Sequence, residues 1–155
     1  MPTASPVSST HLHVPGYGHI LLDAGEGTLG QLTRSVGAAE IDTVLRELKC
    51  IFVSHMHADH HTGLIRLLAK RRRVRASNFT RRPLSLFSSL TLLFLDAREQ
   101  VTDPSNLIYV VAPSRIRTMI SEKQEFQDLG LRGDPAESQI QFVDTMALLP
   151  SSTIP

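Results

Sequence analysis

The sequence predicts an α/β fold, because apolar segments of strand length are interspersed with helical patterns along its 155 residues. Residues 50–53 form a short apolar run that ends in a histidine-rich loop. Residues 40–48 repeat apolar side chains at helical spacing, and residues 107–112 form a continuous apolar run typical of a buried parallel strand. The length fits a single domain.

The first elements form a hairpin followed by two helices. Residues 7–14 and 19–22 predict strands joined by a Pro-Gly turn. Residues 28–36 predict a helix that ends at Gly37, and residues 40–48 predict a second helix. The histidines of the hairpin are expected to be exposed strand residues and not ligands: His11, His13 and His19.

The later elements alternate between helix and strand. Residues 64–73 predict an amphipathic helix after the histidine-rich loop, with His61 as a helix-start residue. A strand at 107–112 leads to a helix for which Ser114 is the expected N-cap. Residues 130–138 read as loop, and residues 140–144 predict a last strand that ends at Asp144.

Composition limits the compartment and the class of protein. The single cysteine, Cys50, excludes an internal disulfide and indicates a reducing environment. Residues 1–9 lack the basic and apolar regions of a secretory signal. The apolar stretch at 83–95 is too short to span a bilayer, so no membrane partner is expected.

The formal net charge of +1 conceals a basic segment. Residues 66–82 carry eight basic side chains and no acidic one, whereas the segments on both sides are net acidic. Such a segment can hold a phosphate backbone, and it is also typical of a solvated insertion. Arg71, Arg72 and Arg73 are the candidate contacts to RNA.

Four potential metal ligands lie within six residues, directly after the strand at 50–53: His55, His57, Asp59 and His60. In an extended loop, His55 and His57 point to the same side. Asp59 and His60 follow where the chain turns into a helix. Imidazole and carboxylate together suit zinc or a similar divalent ion. One pair for each ion indicates two ions side by side, roughly 3.5–4 Å apart.

This His-x-His-x-Asp-His pattern resembles the metallo-β-lactamase superfamily. The segment at 19–32, which reads HILLDAGEGTLGQL, and the segment at 54–64, which reads SHMHADHHTGL, resemble ribonuclease Z of the long eukaryotic form. The resemblance covers residues 7–72 well and residues 107–149 more loosely. It implies a tRNA 3′-processing endonuclease that acts on precursor tRNA in the nucleus or the mitochondrion.

The resemblance also implies roles for the motif residues. His55 and His57 would hold one zinc ion, and Asp59 and His60 the other, with Mn²⁺ or Mg²⁺ as alternatives. Asp59 would orient and deprotonate the attacking water. Asp23 would brace the metal loop by hydrogen bonds, and the glycines beside it would allow a close backbone approach.

The implied fold is a partial αββα sandwich, of which these residues supply roughly one αβ half. The family completes its site with further His and Asp ligands, but this sequence has no histidine after His61. We therefore expect an incomplete, inactive fragment whose sheet leaves an apolar face uncovered, with a second copy of the chain as one partner. Residues 74–98 match nothing in the family and read as an insertion or a retained intron.

Two other functions stay open. One is a different hydrolase of the same fold, such as a glyoxalase II-like thioesterase, although the segment at 23–32 argues against it. The other is a non-catalytic fragment or RNA-binding scaffold.

Overall fold

The structure is a computed structural model that describes residues 8–79, 107–129 and 139–148. Within these ranges a mixed sheet holds five strands in sequence order: β1 Thr10–Val14, β2 Gly18–Leu22, β3 Leu48–Phe52, β4 Ile108–Ala112 and β5 Ile140–Asp144. Strands β1 and β2 form the predicted antiparallel hairpin, and β2 to β5 are parallel. The α/β class predicted from the sequence is therefore confirmed.

The parallel strands are joined through helices, as parallel pairing requires. The helices are α1 Thr28–Val36, α2 Ile41–Arg46, α3 Ala58–His61, α4 Leu64–Phe79 and α5 Ser114–Gln124, and a 3₁₀ turn follows β5 at Thr145–Leu148. Because the strands advance across the sheet in sequence order, crossovers of the usual right hand place these helices on one face. No helix in the described ranges is long and apolar enough to cross a membrane.

The hydrophobic core lies between the sheet and the helices. Leu21, Ile51 and Val110 are paired across β2, β3 and β4 and are at most 1% exposed. They belong to one buried cluster with side chains of the helices, including Val44, Leu45, Leu64, Leu67, Leu68, Ile116 and Ile120. The core fixes the register of the strands and hence the positions of the loops that follow them.

The opposite face of the sheet is apolar and exposed among the described residues. Leu12, Leu22 and Tyr109 alternate with the core residues of their strands, and they are 41%, 38% and 46% exposed. Cys50 and Phe52 lie on the same face and are partly covered. This arrangement agrees with the expectation of a sheet that carries helices on one side only.

Several predicted boundaries were wrong, and three of them change the interpretation of a segment. Helix α2 ends at Arg46 and not at residue 48, because Leu48 begins β3 and pairs with His19. Helix α4 does not stop at residue 73 but continues to Phe79, so it includes the first residues of the 74–98 segment. Ser114 is the first residue of α5, whose N-cap is Pro113. The rest of the 74–98 segment and the loop at 130–138 fall outside the described ranges.

The carboxyl ends of the parallel strands bring two loops together. Asp23, Ala24 and Gly25 follow β2, and residues 53–57 follow β3. The backbone N–H of Ala24 donates to the carbonyl of His60 over 2.7 Å, and the Ala24 carbonyl accepts from Gly63 N–H over 2.8 Å. We call this pair of hydrogen bonds the Ala24 bridge.

Glycine is required on both sides of the Ala24 bridge. A Cβ atom at Gly25 would overlap the carbonyl oxygen of Asp59, and one at Gly63 would overlap the carbonyl oxygen of Gly25. The sequence-based expectation that glycines permit a close backbone approach is confirmed at these positions. In both cases the obstructing atom belongs to the backbone, so a side-chain rotation cannot relieve the overlap.

The hairpin histidines form a stack on the helix-facing side of the sheet. His11 and His13 each stack on His19, with ring centroids 4.9 and 4.7 Å apart, and His11 Nε2 lies 2.9 Å from His19 Nδ1. His19 is only 8% exposed, so the expectation of exposed strand residues was wrong for it. Burial, and then the neighbouring histidines, lower the pKa of His11 and of His19, although Glu47 at 3.6 Å from His19 Nε2 opposes the shift of His19.

We expect Gly25→Ala and Gly63→Ala each to lower the free energy of unfolding by about 1–3 kcal/mol, the usual cost of forcing atoms into filled space. Gly30→Ala is the matched control, because Gly30 is exposed in α1 and a Cβ there meets only the Arg34 guanidinium at 3.6 Å. That control should stabilise the chain by about 0.5–1 kcal/mol. Urea denaturation checks all three, and equal stability of Gly25→Ala and the parent would contradict the required approach.

The histidine stack predicts a loss of stability in mild acid. Because the folded pKa values of His11 and His19 lie below the unfolded value of about 6.5, the unfolded chain binds more protons as the pH falls through that value. Their contribution is therefore fully present above about pH 6.5 and declines below it. The measurement is the denaturation midpoint, taken in EDTA between pH 7.5 and pH 5. His11→Gln should make the fall of the midpoint with pH smaller. His61→Gln, which changes a histidine outside the hairpin, should show the same fall as the parent chain.

Candidate metal centre

The metal-motif residues lie in a loop that leaves the carboxyl end of β3. Val53 is fully buried, and its N–H donates to the Val111 carbonyl over 2.8 Å, so the chain is held to the sheet until that residue. Residues 54–60, which we call the donor loop, lead from the end of β3 into the first turn of α3. His57 is extended and precedes the helix, whereas Asp59 and His60 lie in its first turn. The motif thus spans the change from extended chain to helix that the sequence predicted.

The first pair of donors is formed by His55 and His57. His55 Nε2 lies 3.0 Å from His57 Nδ1, and the rings meet edge to face with centroids 4.5 Å apart. Two imidazole lone pairs cannot face each other at this distance unless a proton or a cation lies between them. The contact is therefore a hydrogen bond in which one ring N–H donates to the nitrogen of the other ring, and a cation would take the place of that proton.

The second pair of donors is formed by Asp59 and His60. Asp59 Oδ2 lies 3.4 Å from His60 Nε2, and the Asp59 side chain is 61% exposed. The ring centroids of His55 and His60 are 4.0 Å apart, so the two pairs are neighbours. In the described part of the chain, no three His, Cys, Asp or Glu side chains form a group that could hold an ion. The arrangement is two pairs and not a closed cage.

Asp23 stands behind both pairs in a left-handed backbone conformation, with φ of 62°. Its carboxylate accepts from Ser54 N–H over 2.8 Å and from the Ser54 hydroxyl over 2.8 Å, and it lies 2.8 Å from His60 Nδ1. Burial alone would raise the pKa of Asp23, but these hydrogen bonds and the His60 charge outweigh it, so the pKa is lowered. Asp23 is therefore a hydrogen-bond acceptor at neutral pH, so His60 Nδ1 carries the proton of their hydrogen bond. His60 Nε2 is then the nitrogen that could bind a metal ion.

Ser54 is the residue of the site that the sequence analysis missed. Its hydroxyl donates to Asp23 and lies 2.9 Å from His55 Nδ1, which can donate to the hydroxyl oxygen in turn. This chain of hydrogen bonds favours the His55 tautomer that carries its proton on Nδ1, which leaves the lone pair on Nε2, the nitrogen that faces His57. The signal in the sequence was the position of a hydroxyl residue directly before the first motif histidine.

The donor set fits divalent metal ions in type and spacing. A tetrahedral zinc ion with bonds of about 2.0–2.1 Å separates its ligand atoms by about 3.3 Å, close to the observed 3.0 and 3.4 Å. His60 also has the carboxylate partner that metal-bound histidines usually have. His61 does not join the pairs, since its Nε2 faces the Met56 carbonyl at 3.3 Å.

The three candidate RNA contacts occupy different environments on α4. Arg71 is 3% exposed and donates to the Leu107 carbonyl over 3.4 Å, and burial and then Arg75 lower its pKa to about 9. Arg72 pairs with Asp128 at 3.0 Å. Only Arg73 is exposed. The burial of Arg71 argues against its predicted contact with RNA. The three arginines, which the sequence presented as equivalent candidates, are therefore not equivalent.

Comparison with known proteins places the chain in a superfamily. The family described as Beta-lactamase superfamily domain matches residues 19–131. The chain is 44% identical over 98 residues to "tRNAse Z TRZ4, mitochondrial" of Arabidopsis thaliana, covering 63% of this chain and 10% of that protein. It is 52% identical over 71 residues to "Zinc phosphodiesterase ELAC protein 2" of Mus musculus, covering 46% of this chain and 8% of that protein.

Solved structures agree on the fold. A long-form RNase Z from yeast matches with a TM-score of 0.55 and 23% identity, over 88% of this chain and 15% of the yeast chain. The short form of human tRNase Z matches with a TM-score of 0.53 and 24% identity, over 93% of this chain and 39% of the human chain. This chain spans about a tenth of the curated relatives it matches. This chain belongs to the β-lactamase superfamily, and the relatives it matches there include proteins named tRNAse Z and Ribonuclease Z.

Proposed function

We propose that this chain supplies the first ligands of a metal-dependent endoribonuclease site that removes the 3′ trailer from precursor tRNA. The observation that carries the proposal is the placement of the two donor pairs at the carboxyl end of β3, with Asp23 held behind them. The names of the relatives, tRNAse Z and zinc phosphodiesterase, support this substrate and zinc as the metal. Mitochondrial relatives from a plant and an insect support a mitochondrial location.

His55 and His57 would hold one ion, and Asp59 and His60 the other. Divalent ions bound there would neutralise the charge of the phosphodiester and lower the pKa of a water molecule. Asp59 is the exposed carboxylate of the loop, so it is placed to accept a proton from that water and to orient it. Asp23 and Ser54 would keep the lone pairs of His55 and His60 directed at the ions.

The number of donors limits what these residues can do alone. Each proposed ion has two described protein ligands, whereas catalytic zinc sites usually have three. The sequence has no histidine after His61 that could protonate a leaving oxygen, and general acid catalysis is typically worth about 10²–10⁴-fold. We therefore propose that the 155-residue chain binds metal weakly and does not cleave by itself.

The metal-binding prediction concerns His57. Titration of the metal-free chain with zinc should show weak binding, and His57→Ala should reduce the affinity by more than about tenfold, because one pair loses half of its donors. His13→Ala is the matched control, since it removes an exposed histidine from the hairpin and should leave the affinity unchanged. Tight, stoichiometric zinc binding that survives His57→Ala would contradict the assignment of the pairs.

The activity prediction has two arms. The purified chain, incubated with zinc or manganese and a precursor tRNA carrying a 3′ trailer, should give no specific cleavage. A chimera of the Arabidopsis relative TRZ4, in which the aligned segment is replaced by the segment of this chain, should remove the trailer, and Asp59→Ala in the chimera should abolish the cleavage.

The chimera also separates the alternative functions. A folded chimera that does not cut precursor tRNA but hydrolyses a glutathione thioester would favour a glyoxalase II-like enzyme. A folded chimera that binds RNA and hydrolyses neither substrate would favour a scaffold. Cleavage that persists after Asp59→Ala would contradict both proposed roles of Asp59, as a ligand of the second ion and as the acceptor of the proton from water.

A further inference from the structure

A cleft of about 440 Å³ lies along α4, outside the donor loop. Its apolar lining residues are Leu29 of α1 with Ile65 and Ala69 of α4, and Thr62 and Gln127 also line it. Three cationic side chains line it as well: Arg66, Lys70 and Arg73. We call this cleft the α4 groove.

The cations form a row because of helical spacing. Arg66, Lys70 and Arg73 are separated by four and three residues, which places them on one stripe of the helix. At 1.5 Å per residue, their Cα atoms advance by roughly 6 Å and 4.5 Å along the axis. Positive charge therefore follows the length of the groove.

Two of the three charges are not neutralised by the described part of the chain. Lys70 pairs with Asp42 at 3.0 Å, but Arg66 and Arg73 are exposed and form no ion pair with a described residue. The neighbouring Arg72 is committed to Asp128. Two solvated guanidinium groups beside apolar lining residues are suited to a ligand that combines phosphate with a flat base.

The groove begins next to the donor loop. Helix α3 ends at His61, and Thr62, the next residue, lines the groove. A chain held by Arg73 and Arg66 would thus be directed toward the two donor pairs. The volume of about 440 Å³ is in the range of small-molecule sites and is large enough for a nucleotide unit.

We propose that the α4 groove binds the phosphate backbone of a single-stranded RNA segment that leads to the donor loop, through Arg66 and Arg73. This inference rests on the proposed function, since it names the surface that would guide RNA to the metal pairs. It replaces the consecutive set Arg71 to Arg73 by Arg66 and Arg73, which are seven residues apart on α4.

The test measures RNA binding by fluorescence anisotropy with the full chain and a labelled oligouridylate in EDTA, over a range of salt concentrations. Each phosphate contact to a single strand contributes about 0.7 to the slope of log affinity against log salt. The double variant Arg66→Gln/Arg73→Gln should lower that slope by about 1.4, and Arg66→Lys/Arg73→Lys should restore it. The matched control Arg115→Gln/Arg117→Gln removes the same charge from exposed positions of α5 and should leave the slope unchanged.

Several results would overturn the proposal. One is an unchanged salt slope in the groove variant, and another is an equal loss of slope in the α5 control. The others are tighter binding of duplex than of single-stranded RNA, and displacement of the RNA by polyglutamate of matched charge as effectively as by unlabelled RNA. Because the measurement excludes metal and cleavage, its outcome is independent of the chimera. RNA binding in the groove together with an inactive chimera would contradict the proposed function alone. An active chimera without RNA binding in the groove would contradict the groove proposal alone.

Discussion

The carboxylate of Asp23 is the group on which the arrangement of the donor loop depends. It receives hydrogen bonds from the backbone and hydroxyl of Ser54 and from the ring of His60, and Ser54 extends this control to His55. One anion at the end of β2 thus determines which nitrogen of two histidines faces outward. Its left-handed backbone turns the chain into Ala24, so the same residue prepares the backbone contact with α3.

The fold and the donor loop could largely be predicted from the sequence, because both follow from local pattern. Apolar residues such as Leu21 and Ile51 lie in short apolar runs that predict strands. A ligand motif that directly follows a strand lies at the edge of the sheet where that strand ends. The end of α2 could not be predicted this way. Leu48 satisfies the helical period equally well, and its pairing with His19 decides that it starts β3.

The interpretation of the basic segment failed for a similar reason. Consecutive arginines look equivalent in a sequence because each carries the same charge. A helix turns by about 100° per residue, so their side chains point in different directions and meet different neighbours. Arg71 faces the core side and the Leu107 carbonyl, Arg72 meets Asp128, and Arg73 remains in solvent. Ser54 was missed because its function depends on Asp23, which is 31 residues away in the chain.

The Ala24 bridge bears on how an ion would be taken up. It consists of main-chain hydrogen bonds, which need no ion to form, unlike the contacts of small zinc domains in which binding and folding are one event. Under the proposed function, uptake of an ion would then be capture by side chains already in place. It would bury little apolar surface and would be accompanied by a small heat capacity change. The rate of exchange between ions would be set by water and side-chain motion instead of by unfolding of the loop.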